Sequence, residues 1–152
     1  MQEKVHGLAA GEAPLVLVER PEHGIAVVML NKPESRNALS LGMIGALHEA
    51  ITALSADASV SSIVVAAKGP AFSAGHDLKE LTAHRADADG GRAFFKETMD
   101  ACAGLMLAIV NSPKPVIAAV EATATAAGCQ LVATCDLAVA ADTAKFCTPG
   151  VN

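Results

Sequence analysis

Positive charge is scarce in this 152-residue chain: 11 Lys and Arg stand against 16 Asp and Glu, a formal net charge of -5. A nucleic-acid binder normally presents a basic face, so that class is disfavoured. Long apolar runs are lacking as well. Cys102–Val110 is too short to span a bilayer, and Pro115–Ala141 is interrupted by Glu121, Gln130 and Asp136, so no membrane segment is expected. The opening residues Met1-Gln-Glu-Lys-Val-His6 contain no basic stretch leading into an apolar one, and no secretory signal is visible. Four cysteines (Cys102, Cys129, Cys135, Cys147) have neither CxxC spacing nor the density of a disulfide scaffold. Reduced thiols in a soluble, cytoplasmic protein are the expectation. His6, His23, His48 and His84 show no metal-ligand spacing, so no metal is expected.

The composition is 52% hydrophobic with a mean hydropathy of +0.40, which suits one domain with a substantial core. Residues 1–14 read as a loose terminus and 15–152 as the core. Leu15–Arg20 and Ile25–Leu30 are β-rich runs joined by Pro21-Glu-His-Gly24, the pattern of a hairpin. Asn31–Ala38 is a loop. Ser40 is placed to cap a helix running to about Ser55, with Leu41, Ile44, Leu47, His48, Ile51 and Leu54 at helical spacing. Ser62–Ala67 is a buried-strand pattern, followed by a turn-rich loop, Gly69–Gly75, and a short helix, Asp77–Leu81. Thr82–Gly91 is polar enough to predict a mobile surface loop. A long helix over Arg92–Val110 would turn Phe95, Met99, Cys102, Met106 and Ile109 inward. Val116–Val120 and Leu137–Ala140 read as strands, with a loop entering a helix over Thr125–Cys135. This alternation implies an α/β protein with parallel pairing and right-handed crossovers.

Two segments place small residues where a strand hands over to a helix. One is Gly69-Pro-Ala-Phe-Ser-Ala-Gly-His-Asp-Leu-Lys-Glu80; the other is Ala124-Thr-Ala-Ala-Gly-Cys-Gln-Leu131. Small residues there let a substrate approach the backbone, and free N–H groups at a helix start receive developing negative charge. Side by side, two such loops would make a two-donor oxyanion hole. Tight packing alone is the other reason to find Gly and Ala at such turns.

The segments Asn31-Lys-Pro-Glu-Ser-Arg-Asn-Ala-Leu-Ser40, Ala71-Phe-Ser-Ala-Gly-His-Asp-Leu-Lys-Glu80, Lys114-Pro-Val-Ile-Ala-Ala-Val120, Gly128-Cys-Gln-Leu-Val132 and Cys135-Asp-Leu-Ala-Val-Ala140 resemble the crotonase (enoyl-CoA hydratase/isomerase) superfamily, from about Leu15 onward. The Ala-Ala-Gly-Cys-Gln-Leu form, with Thr-Pro-Gly-Val near the end, resembles one subgroup in particular. The resemblance implies a crotonase-like spiral of ββα turns that binds an acyl-CoA or enoyl-CoA thioester, a lyase or isomerase of fatty-acid metabolism. It implies no separate cofactor, coenzyme A being part of the substrate. By the same resemblance His76 supplies one oxyanion N–H and Ala127, nine residues before Asp136, the other, with Gly128 its neighbour. Arg36, Ala38 and Leu39 would lie against the CoA adenine and phosphates, and Ala74, Asp77, Leu78 and Lys79 would line the opposite wall. A solvated surface charge is the alternative for Arg36 and Lys79.

The family's hydratases use two glutamates to hold and activate water. Gln130 stands where the first belongs, six residues before Asp136, and Gly150 where the second belongs, fourteen after it. Neither can act as a general base at neutral pH, so ordinary hydration is disfavoured while Gln130 can still orient a water. The His76 imidazole is a candidate base, against a structural or substrate-lining role. Cys129 and Cys147 are candidate nucleophiles, against plain packing. Asp77 is expected to cap a helix, and Glu80 and Glu121 to lie on the surface. The chain stops at Thr148-Pro-Gly-Val-Asn152 without a closing helix, so the spiral is expected to be truncated before its last turn and its C-terminal trimerisation helices. A homo-trimer or dimer of trimers is the assembly the resemblance implies. A non-catalytic acyl-CoA-binding or regulatory homologue is the alternative function.

Overall fold

The computed structural model describes residues 13–149. Most of the expected loose terminus, and Gly150, lie outside the described residues. β1 (Val16–Glu19) and β2 (Ile25–Leu30) form the expected antiparallel hairpin, with Val16 opposite Leu30. α1 (Leu41–Ala56) follows, then β3 (Ser62–Ala67), β4 (Ala71–Ser73), α2 (Leu78–Ala83) and α3 (Arg92–Val110). The remainder is β5 (Val116–Val120), β6 (Thr123–Thr125), α4 (Ala127–Thr134), β7 (Leu137–Ala140) and β8 (Phe146–Cys147).

The long strands make one five-stranded sheet ordered β1-β2-β3-β5-β7, parallel from β2 onward. The short strands make a second, parallel sheet ordered β4-β6-β8. Each long strand from β3 on therefore passes into a short one of the other sheet, and β4 and β6 then pass into helices. This is the ββα spiral. β4 lies inside a stretch expected to be loop, because three residues are too few for a two-residue alternation to register.

Burial sets the helix faces. α1 turns Met43, Ile44, Leu47, Ala50, Ile51 and Leu54 into the core, a continuous stripe at helical spacing. Leu41 and His48, which share the helical spacing, flank that stripe and are not buried. α3 buries Thr98, Cys102, Leu105, Met106 and Ile109; Phe95 and Met99, expected inside, lie on its flank at 38% and 40% exposure. Thr82–Gly91 is also more regular than a mobile loop. It holds the end of α2 and a 3-10 turn over His84–Ala86, with the His84 ring stacked 3.6 Å from Phe94 and paired to Asp87 at 2.7 Å.

Side chains satisfy several of the helix ends. Ser40 Oγ accepts from Met43 N–H at 3.1 Å, as its position predicts. Lys114 Nζ donates to the Leu54 carbonyl (2.8 Å) and to that of Asp57, covering the C-terminal end of α1 with a cation. Asp89 accepts from Gly91 and Ala93 N–H, which holds its carboxyl below the usual range and starts α3 where Gly91 has no side chain to cap with.

Asn37 knots the layers together. It is fully buried in a left-handed conformation (φ 51°), which asparagine tolerates better than most residues. Its Nδ2 donates to the carbonyls of Lys68 (2.8 Å) and Ala71 (2.9 Å), and its Oδ1 accepts from Lys32 N–H (2.8 Å). One side chain thus ties the loop after β2 to both ends of the β3–β4 connection. Replacing it leaves three backbone groups without this partner, the Ala71 carbonyl among them fully inside. Asn37→Ala is expected to lower unfolding stability by roughly 3 kcal/mol, as read by urea denaturation.

Candidate active site

The loop after β2 and the loop after β4 run side by side. Ala74 N–H donates to Arg36 O (3.0 Å), Leu39 N–H to Gly75 O (2.7 Å) and Asp77 N–H to Leu39 O (3.2 Å). Leu39 and His76 therefore form a parallel bridge in which Leu39 supplies both bonds. His76's own N–H and C=O face the other way. Peptide planarity makes this quantitative in direction: the Gly75 carbonyl is held by Leu39, so the His76 N–H of the same trans unit points away from Leu39. That N–H has no hydrogen-bond partner among the described residues.

The start of α4 lies against this loop. A Cβ added to Gly75 would sit 2.8 Å from Ala126 Cβ and 3.1 Å from Ala127 N. One added to Gly128 would meet Ser73 at 2.5 to 2.9 Å. The absence of a side chain at these two positions is what lets the two segments touch. No side chain caps α4, and the first intrahelical bond is Gln130 N–H to Ala126 O. The N–H groups of Ala127, Gly128 and Cys129 are left without partners among the described residues. Ala126 enters the helix at φ 51°, ψ -124°, a conformation costly for a residue with a Cβ, and its N–H is held by Cys147 O at 2.9 Å. Two loops that are distant in sequence thus present free N–H groups next to each other.

The remaining predicted residues fall around this pair. Arg36 is exposed, in a left-handed turn beside Asn37. Ala38 and Leu39 are buried, Leu39 fully, so Leu39 faces the core and offers only its backbone. Ala74 is half-buried. Asp77 caps α2 as expected, its Oδ1 accepting from Lys79 and Glu80 N–H. Leu78 and Lys79 are exposed on the outer face of α2, along a shallow groove with Thr82 and Ala83. Gln130 is exposed one turn into α4, and Gly150 is outside the described residues.

Glu80 departs from its expected surface role: it is half-buried, and its Oε2 accepts from Leu41 N–H at 2.9 Å, joining α2 to the start of α1. Glu121 is exposed as expected. The His76 ring is half-buried, with Nδ1 enclosed and unpartnered; burial pushes its pKa below 6.5, with the Leu39 backbone acting in the opposite sense. Burial also pushes up the Cys102 thiol, and it combines with the Asp136 charge to push Cys135 up to about 12. Those two thiols stay protonated and serve packing. Cys129 is half-buried and Cys147 exposed. Among the described residues no cluster could hold a metal ion, and no helix is long and apolar enough to cross a membrane. Sequence reasoning missed Asn37, Ser73 and Glu80. Only the polar residue inside the apolar Ala71-Phe-Ser73 run offered a signal.

A ββα spiral in which the loop carrying His76 meets the start of α4 defines the class, and the enoyl-CoA hydratase/isomerase family matches residues 20–152. The chain belongs to that family. It is 48% identical over 139 residues to enoyl-CoA hydratase domain-containing protein 3, mitochondrial, of Xenopus laevis, covering 91% of this chain and 45% of that protein. The human protein of the same name is 47% identical over 129 residues, covering 85% and 41%. The subgroup to which the Ala-Ala-Gly-Cys-Gln-Leu form pointed is this one. A crystal structure of an enoyl-CoA hydratase from Mycobacterium smegmatis superposes with a TM-score of 0.84 at 48% identity, covering 92% of this chain and 52% of that one. The crystal structure of the human domain-containing protein 3 gives 0.82 at 44%, covering 91% and 52%. The chain thus spans about half the length of its relatives. The expected cytoplasmic location is corrected: the relatives from frog, rat, mouse and human are named mitochondrial, which points away from it.

Two expectations follow from the geometry. Ala126→Gly relieves the positive-φ strain at the mouth of α4 and is expected to raise stability by about 1 kcal/mol in urea denaturation. His76 titrates below its ordinary 6.5 in the folded chain, so its contribution is complete above 6.5 and is lost as pH falls through the folded value. Replacing His76 with Asn should flatten the loss of stability on acidification below 6.5, measured as denaturation midpoints across a pH series.

Proposed function

We propose that the chain binds an acyl-CoA or enoyl-CoA thioester and stabilises its enolate, or a tetrahedral oxyanion, between the N–H groups of His76 and Ala127. The observation that carries this reading is the meeting of two partnerless N–H groups where Gly75 touches the start of α4. A carbonyl oxygen placed there gains two fixed donors, reinforced by the partial positive charge of the α4 N-terminus. Losing one such donor typically costs on the order of 3 kcal/mol of barrier height. The exposed cation of Arg36 suits the CoA phosphates, and Leu78 and Lys79 on α2 form the facing wall. No cofactor is needed, since the coenzyme is part of the substrate.

Gln130 shapes the chemistry. An amide at this position can orient water or a substrate oxygen but cannot take its proton. A crotonase-type reaction whose base comes from another group, such as isomerisation or thioester hydrolysis, fits better than two-carboxylate hydration. The same residue favours a second reading, a non-catalytic acyl-CoA-binding or regulatory homologue. We also propose a homo-trimer or dimer of trimers. Leu137, Val139 and Phe146 are 62%, 68% and 47% exposed along the last strands, apolar surface that either further chain or association would cover.

Crotonyl-CoA turnover by the full-length protein, followed as loss of the enoyl absorbance, tests the reading. The wild type is expected to bind the thioester with little hydration. Gln130→Glu is expected to raise hydration at least about tenfold, the lower range of a restored general base. Binding without turnover in both proteins would favour the non-catalytic reading, and no binding would overturn both.

A further inference from the structure

We infer that Ser73 is a positioning residue that holds the two oxyanion donors in register, an inference that rests on the thioester reading above. Ser73 ends β4 and is fully buried. Its hydroxyl donates to the Asn37 carbonyl at 2.9 Å and accepts from Gly75 N–H at 3.2 Å. A hydroxyl has one hydrogen to give, and the Asn37 carbonyl takes it, so the lone pairs are left for Gly75. The polarity of the relay is therefore fixed.

Gly75 is thereby gripped on both sides. Its N–H is held by Ser73 and its C=O by Leu39, at a backbone φ of 84°. The His76 N–H belongs to the peptide unit whose carbonyl is Gly75's, so both grips together set its direction. With the Leu39 bond alone, the loop keeps one anchor and can pivot about it.

Ser73 also touches the second donor's segment. Its carbonyl oxygen, Cβ and Oγ are the atoms that a Cβ on Gly128 would strike, so the residue after Ala127 rests directly on it. The register of β4 explains how it arrives there. Ala71 pairs with Thr123 and Ser73 with Ala124, two steps on one strand against one on the other, which leaves Phe72 as the extra residue of a bulge. That bulge brings Ser73 level with Ala124, three residues before Ala127. One side chain therefore bears on the first loop by hydrogen bonds and on the second by contact. Asn37, anchored at Lys68, Ala71 and Lys32, gives the relay a rigid base.

The test is Ser73→Ala in the full-length protein, which removes the hydroxyl and keeps Cβ. Three quantities are read: hydrogen exchange at the Leu39 amide, the Kd of acetoacetyl-CoA (a thioester that enolises readily) and the Kd of CoA, which has no acyl carbonyl. The Leu39 amide is bonded to Gly75 rather than to Ser73, so it reports the loop and not the deleted contact. Its exchange is expected to quicken at least about tenfold, acetoacetyl-CoA to bind about tenfold more weakly, and CoA to bind as before. Unchanged Leu39 exchange would overturn the inference. Equal losses for CoA and acetoacetyl-CoA would also overturn it, since they signal a general structural role. Ser73→Cys keeps a weak donor and serves if the alanine variant does not fold, with smaller changes expected in the same directions and the same outcomes overturning. If wild-type protein binds neither thioester nor CoA, the functional reading fails by itself, and unchanged Leu39 exchange would still overturn the role of Ser73 in holding the loop.

Discussion

The hydrogen bond from Leu39 N–H to the Gly75 carbonyl is the constraint on which the site depends. A peptide unit is planar and trans, so holding its carbonyl aims its N–H. Because Leu39 is fully buried in the core, the bond transmits the rigidity of the packed interior to a loop that would otherwise be free. The free N–H of His76 is therefore a by-product of a bond that serves folding.

Close approach is the second requirement. The two loops reach each other only because Gly75 and Gly128 lack a Cβ, and because Ala126 takes up a backbone conformation better suited to glycine. Around this contact the polar side chains work as spacers with defined reach. Asn37 binds three backbone groups, Ser73 links two loops, and Glu80 joins α2 to the first N–H of α1. All three are engaged in hydrogen bonds to the backbone, and Asn37 and Ser73 bear on the loops that carry the free N–H groups.

Much of this was legible in the chain. The hairpin, α1 with its Ser40 cap, the parallel strands and the long α3 follow from apolar spacing and from cap residues, both of which act locally. Helix faces were read less well. α3 is apolar on its flank as well as on its core face, so Phe95 and Met99 matched a helical period without being inside. The short strands β4, β6 and β8 carry no period at all and exist because the longer strands beside them impose a second layer. Glu80 looked like an ordinary surface carboxylate, since nothing near it in sequence announces that Leu41 will arrive within hydrogen-bond reach.

The sequence by itself determined the family, through ordered motifs, and the presence of an amide rather than a carboxylate at Gln130, because residue identity is all those conclusions require. It also determined which turns are lined by small residues. Only the tertiary structure decided that the Gly75 and Ala127 turns meet, that Leu39 contributes its backbone rather than its side chain, and that Asn37 and Ser73 bridge the layers. The physical reason is separation along the chain. Backbone N–H groups belong to every residue but proline, so what sets these apart is direction and proximity, which only the packed chain decides.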